Sequence, residues 1–322
     1  MKTLRSISIV IFISIIILSD GCVSPESGRN RKGELKGTIS ISGAFALYPM
    51  TVKWAEEFQK HYPEVKIDIS AGGAGKGITD VLSGMVNLAM VSRGISQSEI
   101  DQGAWFLAVT KDAVLPTINN QNPVLEGLLK KGFTLEMFQE IYLNNKTHTW
   151  GEFLDLPDQN KINVYTRSDA CGAAEMWGKY LGENQESLLG IGVFGDPGIA
   201  DAVKNDKYGI GFNNVIYAYD IKSRKKYEGM EVIPIDLNGN RLIDPEENFY
   251  GSLETIMNAI QTNKYPSPPA RDLYLVSKGK PTDPVIIAFL NWILSEGQKF
   301  VNEGGYVQLP DEKINNEKLK LQ

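Results

Sequence analysis

The sequence predicts an α/β fold in two domains. Three observations carry that expectation. Short β-branched runs alternate with stretches whose apolar residues recur every three or four positions. The first three such runs each end in a loop or Gly-rich turn. The 322-residue chain, 42% hydrophobic and 22% charged, is long enough for more than one core. Residues 38–42 (TISIS) read as a strand, with Val52, Ala55, Phe58 and Tyr62 marking a helix behind it. Residues 65–69 (VKIDI) read as a second strand, running into the turn 71–77 (AGGAGKG) and a helix with Ile78, Val81, Leu82 and Met85 on one face. A third strand, 86–91, ends at Ser92 and Arg93. These junctions lie at the carboxyl ends of strands, where open parallel sheets bind ligands. The turn lacks the Gly-Lys-Ser/Thr ending of a nucleotide P-loop and completes no dinucleotide Gly pattern, which excludes both motifs.

Further along, residues 112–119 are apolar and extended, 134–142 follow a helical period, and 208–213 (YGIGFN) form a strand. The segment 231–235 reads as strand, and Ser252 caps a helix carrying Leu253, Ile256, Met257 and Ile260. A Pro-rich connector starting at Tyr265 enters a strand ending near Val276. Asp283-Pro284 then opens a helix with Ile286, Phe289, Leu290 and Ile293 as its buried stripe. The chain has no internal repeat.

The N-terminus reads as an export signal over residues 1–21: Lys2 and Arg5 precede an apolar run too short to span a membrane comfortably. Gly21-Cys22 at its end matches a lipoprotein cleavage site, although Leu18 stands one place early and Asp20 intrudes. Lipidation at Cys22 would anchor the protein to a membrane, with residues 22–36 as a flexible tether. Cys171 would then be the one remaining thiol, so an oxidising destination brings no intramolecular disulfide. A net charge of -6 argues against nucleic acid as a partner. An enzyme would need a nucleophile with a base or a metal cluster, and His61 and His148 stand in no such pattern.

Residues 167–174 (RSDACGAA) join the strand 162–166 (INVYT) to a helix carrying Ala173, Met176, Trp177, Tyr180 and Leu181 on one face. The first turn of a helix has N–H groups without intrahelical partners and the positive end of the dipole. Arg167 adds a permanent charge with a planar fork, a combination that grips a small oxyanion. Taken alone, the same residues also describe a capped helix whose Arg makes a surface ion pair.

Together, residues 42–49 (SGAFALYP) with 53–55 (KWA), the Gly-rich turn, 86–93 (VNLAMVSR) and 167–172 (RSDACG) resemble the phosphate-binding lipoproteins of bacterial ABC phosphate importers. The resemblance covers essentially the whole mature chain. It implies a type II periplasmic-binding-protein fold: two α/β domains joined by two crossover strands near residues 108–116 and 273–277. Residues 37–112 and 273–322 would form one domain and 113–272 the other. Carried over position by position, phosphate would contact Ala46, Leu47, Gly75, Ser92, Arg167, Asp169, Cys171, Gly172 and Ala173. The family's hydroxyl side chains are largely missing: Phe45 or Ala46 replaces one, Gly75 another, and Cys171 and Ala173 two more. Backbone N–H groups, Ser92 and Arg167 are left as donors. Asp169 would refuse sulfate, which brings no proton near neutral pH, or would serve as a helix cap. Ser92-Arg93 is a ligand loop, or a structural turn in which Arg93 ties Asp169 or the ligand.

The function implied is a monomeric receptor that captures inorganic phosphate between closing domains and delivers it to an ABC permease, with no cofactor required. Sulfate, molybdate or tungstate receptors, and a surface adhesion or sensing protein, are the other readings. Independently, residues 236–247 (DLNGNRLIDPEE) place Asp236, Asn238, Asn240, Asp244 and Glu247 at positions 1, 3, 5, 9 and 12 of an EF-hand loop, with the Leu242 carbonyl at position 7. Arg241 stands where that loop wants Gly. Structural calcium or a solvated Asn/Gly/Asp turn both fit.

Overall fold

The computed structural model describes residues 28–29 and 33–322; the expected signal peptide, the lipidation at Cys22 and most of the tether lie outside the described residues. The strands are β1 (Gly28–Arg29), β2 (Leu35–Gly43), β3 (Val65–Ala71), β4 (Leu88–Val91), β5 (Ala104–Asn119), β6 (Asn163–Arg167), β7 (Ile191–Val193), β8 (Gly209–Asn214), β9 (Met230–Val232) and β10 (Ala270–Lys278). They pair in the order β1-β2-β4-β10-β5-β8-β6-β7, with β3 on β2 and β9 on β5.

β5 organises the molecule. Its first part, Ala104 to Ala113, pairs antiparallel with β10, while Val114 to Ile118 pairs antiparallel with β8. One strand thus belongs to both halves of the sheet. On one side β2 runs parallel to β3 and β4; on the other β6 runs parallel to β7 and β8. Each side has its own apolar core. Trp54, Phe58, Phe289 and Trp292 pack in the first, where Phe58 meets Phe289 and Trp292 edge-on at 5.1 and 5.7 Å. Trp177 centres the second, with Phe138 at 5.2 Å, Tyr142 at 5.7 Å and Phe212 at 5.9 Å. Aromatic burial of this kind dominates core energetics.

The helices start where the sequence signals them. Thr134, Ser252 and Asp283 each accept an N–H bond at the head of Leu135–Leu143, Leu253–Gln261 and Pro284–Ile293. Two details differ from the sequence pattern. Met85 is 74% exposed, because the helix Ala74–Leu82 ends before it and Gly84, at φ +78, turns the chain outward. In the helix Tyr48–His61 the buried stripe runs through Met50, Trp54, Ala55 and Phe58, leaving Val52 half-buried and Tyr62 as the C-cap.

Candidate oxyanion site

The parallel strands of both sides deliver their carboxyl ends to one place. β2 ends at Gly43 and leads into Phe45, Ala46 and Leu47; β3 leads into the turn 71–77; β4 leads into Ser92. From the other side β6 ends on Arg167, β7 leads into Asp196, and β8 ends on Asn214. Glycine lets these loops touch. A Cβ on Gly172 would sit 2.2 Å from Ser92 Oγ and one on Gly73 3.0 Å from Asp169 Oδ2. The Gly75 N–H donates to Ala170 O at 3.3 Å, and Tyr217 Oη donates to Phe45 O at 3.3 Å. Phe45 also meets Phe194 edge-on at 6.0 Å and lies 5.9 Å from the Arg167 guanidinium.

Arg167 is the centre of the site. Its side chain is 1% exposed, which excludes a surface ion pair. Nε and Nη2 donate to Asp169 Oδ1 and Oδ2 at 2.9 and 2.6 Å, a fork-to-fork pair, and Nη1 lies 2.9 Å from Asp196 Oδ1. Burial works against the guanidinium charge, yet Asp196, Cys171 and Asp169 outweigh it and raise its pKa. Asp196 heads the helix Gly195–Asn205; burial pushes its carboxyl up while Arg167 and Arg271 pull it down. It accepts from Asn214 Nδ2 at 2.7 Å, and Asn214 Oδ1 accepts from Arg271 Nη2. Arg271 Nε donates to Ser92 O at 3.2 Å, and Nη2 stands 3.6 Å from Asp112 Oδ2. A continuous polar chain, buried except at the partly exposed Asp169, therefore runs Asp169, Arg167, Asp196, Asn214, Arg271, Asp112 across the two sides.

Several expected ligand contacts have other partners. Asp169 does not cap the following helix: both its oxygens hold Arg167, and Oδ1 also accepts from the Gly195 N–H at 3.1 Å. The cap of Gly172–Tyr180 is Cys171, whose Sγ accepts from the Ala174 N–H at 3.4 Å and whose thiol burial pushes up to about 12. Its own N–H donates to Gln185 Oε1 at 3.0 Å. The Leu47 N–H is turned onto Ala44 O at 3.2 Å, and the Ala46 carbonyl accepts from Tyr306 Oη at 2.7 Å. Arg93 does not tie Asp169; it forms a bidentate pair with Glu99 at 3.0 and 2.6 Å. Gly172 and Ala173 begin the helix, where N–H groups lack intrahelical acceptors. Gly75, Arg93, Ala170, Cys171, Glu175 and Gln185 are among the residues around a cavity of about 330 Å³ beside the site.

Sequence reasoning missed Asp112, Asp196, Asn214 and Arg271. The available signal was a charge beside a long apolar run, Asp112 before the run 113–116 in β5 and Arg271 close to the run 273–276 in β10, both buried.

The loop 236–247 closes on itself. Asp236 accepts from the N–H groups of Gly239 and Arg241, both at 2.8 Å, and Asn238 and Asn240 accept from those of Asn240 and Leu242. Asp244 Oδ2 accepts from both Asn side chains, and Glu247 accepts from the N–H groups of Leu237, Asn238 and Asp244. Arg241 adopts φ 67, the left-handed backbone expected at that position. Among the described residues no group of three or more His, Cys, Asp or Glu could hold a metal ion.

A profile of the PBP superfamily domain matches residues 30–297. The chain belongs to that superfamily. Phosphate-binding protein PstS of Methanocaldococcus jannaschii is 26% identical, over 92% of this chain and 89% of that protein. PstS of Staphylococcus aureus MRSA252 is 23% identical, over 90% and 84%. Among solved structures, one from Clostridium perfringens, provisionally described as a phosphate ABC transporter substrate-binding protein with bound phosphate, superimposes with a TM-score of 0.68 at 23% identity, covering 85% of this chain and all of that one. An ABC-type phosphate transport receptor from Vibrio cholerae gives 0.61 at 19%, over 84% and all of that chain. These likenesses agree with the periplasmic-binding-protein fold expected from the sequence.

Proposed function

We propose that the protein is the substrate-binding component of an ABC phosphate importer, capturing inorganic phosphate between its two sides rather than transforming it. The observation that carries this reading is the buried Arg167, held by Asp169 and Asp196 where loops at the carboxyl ends of strands from both sides meet. A guanidinium locked in that way is pre-organised, so little entropy is lost when an oxyanion adds to it. The Gly172–Tyr180 helix adds its unpaired first-turn N–H groups and its dipole. The names of the relatives point to the same ligand. In this reading Asp169 positions Arg167 instead of receiving a proton from the ligand.

Export and anchoring through Cys22 belong to the same proposal, since a receptor must present its ligand to a membrane permease. Among the described residues no helix is long and apolar enough to cross a membrane. Saturating phosphate should compact the protein and raise its melting temperature, with about 2.7 kcal/mol of added stability at a hundredfold excess over Kd. Unchanged scattering radius and melting temperature would count against the receptor reading.

A further inference from the structure

Phe45 reaches from one side of the molecule to the other. It stands in the turn between β2 and the helix Tyr48–His61, on the first side, and its ring meets residues of the second. Phe194, which follows β7, meets it edge-on, with ring centres 6.0 Å apart and planes at 87°. The Arg167 guanidinium lies 5.9 Å from the centre of the Phe45 ring, within reach of a cation–π contact. Gly195 makes room for that ring: a Cβ there would come within 3.4 and 3.5 Å of two of its carbons. The backbone of the turn is tied down separately, Tyr217 Oη and the Tyr48 N–H donating to Phe45 O, and Tyr306 Oη to Ala46 O. Phe45 and Phe194 belong to neither apolar core. Their rings are aimed at each other by the loops that carry them.

We propose that Phe45 and Phe194 form an aromatic latch that sets how long a captured ion stays bound. This rests on the phosphate reading above and adds to it the pair of side chains that prolongs the closed form. The two rings stand on opposite sides, so their contact exists only when the sides are together. Its energy therefore belongs to the closed, ion-holding form alone. A form open enough to admit phosphate lacks it. Losing the contact should speed release and leave arrival unchanged, the usual division when an interaction is made only in the bound complex. The Phe45 ring has a second effect, because it lies over the guanidinium that would grip the ion and keeps water from that face of it. Phe194 acts through Phe45 and touches neither Arg167 nor an ion. It is 63% exposed even with the rings in contact, so its replacement disturbs no core.

The test is a chase: purified protein is loaded with labelled inorganic phosphate, and release is followed after excess unlabelled phosphate is added. The equilibrium Kd of each protein then gives the association rate by division. Wild type is compared with Phe194→Ala, the ring-retaining Phe194→Tyr, Phe45→Ala and the double variant, with melting of each unliganded form. An edge-on aromatic pair is worth a factor of about 2–10, so Phe194→Ala should release phosphate about 2–10 times faster at an association rate within about twofold of wild type. Phe194→Tyr should release at the wild-type rate. Phe45→Ala should release at least as fast as Phe194→Ala, since the contact with Arg167 goes too. The double variant should be no faster than Phe45→Ala, because Phe194 then has no ring to meet. Wild-type release from Phe194→Ala overturns the latch, whether or not melting falls, and so do single effects that multiply in the double variant. Wild type that holds no phosphate overturns the phosphate reading and the latch with it.

Discussion

Arg167→Ala is expected to abolish measurable phosphate binding. The guanidinium offers charge-assisted bonds worth about 1.5–3 kcal/mol each, so losing the group that centres the site costs at least about a hundredfold in affinity. Stability should fall as well, because the buried Asp196 and the partly buried Asp169 would both lose their cation. Breaking a buried pair in that way typically costs about 3–5 kcal/mol. Arg167→Lys separates the two effects: the ammonium restores charge near the carboxylates but lacks the planar fork, so stability should recover further than affinity. Denaturant midpoints alongside calorimetry read both quantities. Near-wild-type affinity in Arg167→Ala would remove Arg167 from the site.

Asp112→Asn should stabilise the unliganded protein, and only above mildly acidic pH. Burial pushes the Asp112 carboxyl up from the ordinary 3.8 to about 6, against the pull of Arg271 and of the nearby Ala113 and Val215 N–H groups, with Asp196 adding repulsion. Tyr217 and Tyr306 also lie within electrostatic reach. Between those two pH values the folded protein binds a proton that the unfolded chain has lost. Unfolding free energy therefore falls as pH rises from about 4 to about 6 and stays lower above. Asparagine removes that term, a gain of up to about 3 kcal/mol near pH 8 that vanishes near pH 3. Arg271 keeps Asn214 and the Ser92 carbonyl as acceptors in the variant, and Asp196 remains as a carboxylate within electrostatic reach of it. Melting curves at several pH values check the slope; a variant less stable than wild type at pH 8 would contradict it.

Much of the fold is readable from residues alone because its elements are locally consistent. The runs TISIS and VKIDI could only be strands, and the Ser252 and Asp283 caps mark helix starts by side-chain chemistry that needs no tertiary context. Met85 misled because apolar spacing continued past Gly84, whose left-handed backbone ended the helix. The site was half legible. Arg167, Asp169 and the helix after them stand together as adjacent residues in one loop, so their association is readable without the fold. Asp196, Asn214, Arg271 and Asp112 each stand singly on different elements, and only the folded sheet makes a chain of them. Asp169 was ambiguous for a related reason: spacing alone cannot say whether a carboxylate two residues after an arginine caps the helix, meets the ligand or grips the arginine.

The most direct measurement is equilibrium binding of labelled inorganic phosphate to the purified protein at neutral pH, competed with sulfate. Saturable binding of one phosphate per chain, which a large excess of sulfate fails to displace, is the expected result. Absence of phosphate binding, or displacement by sulfate at equal concentration, would contradict it.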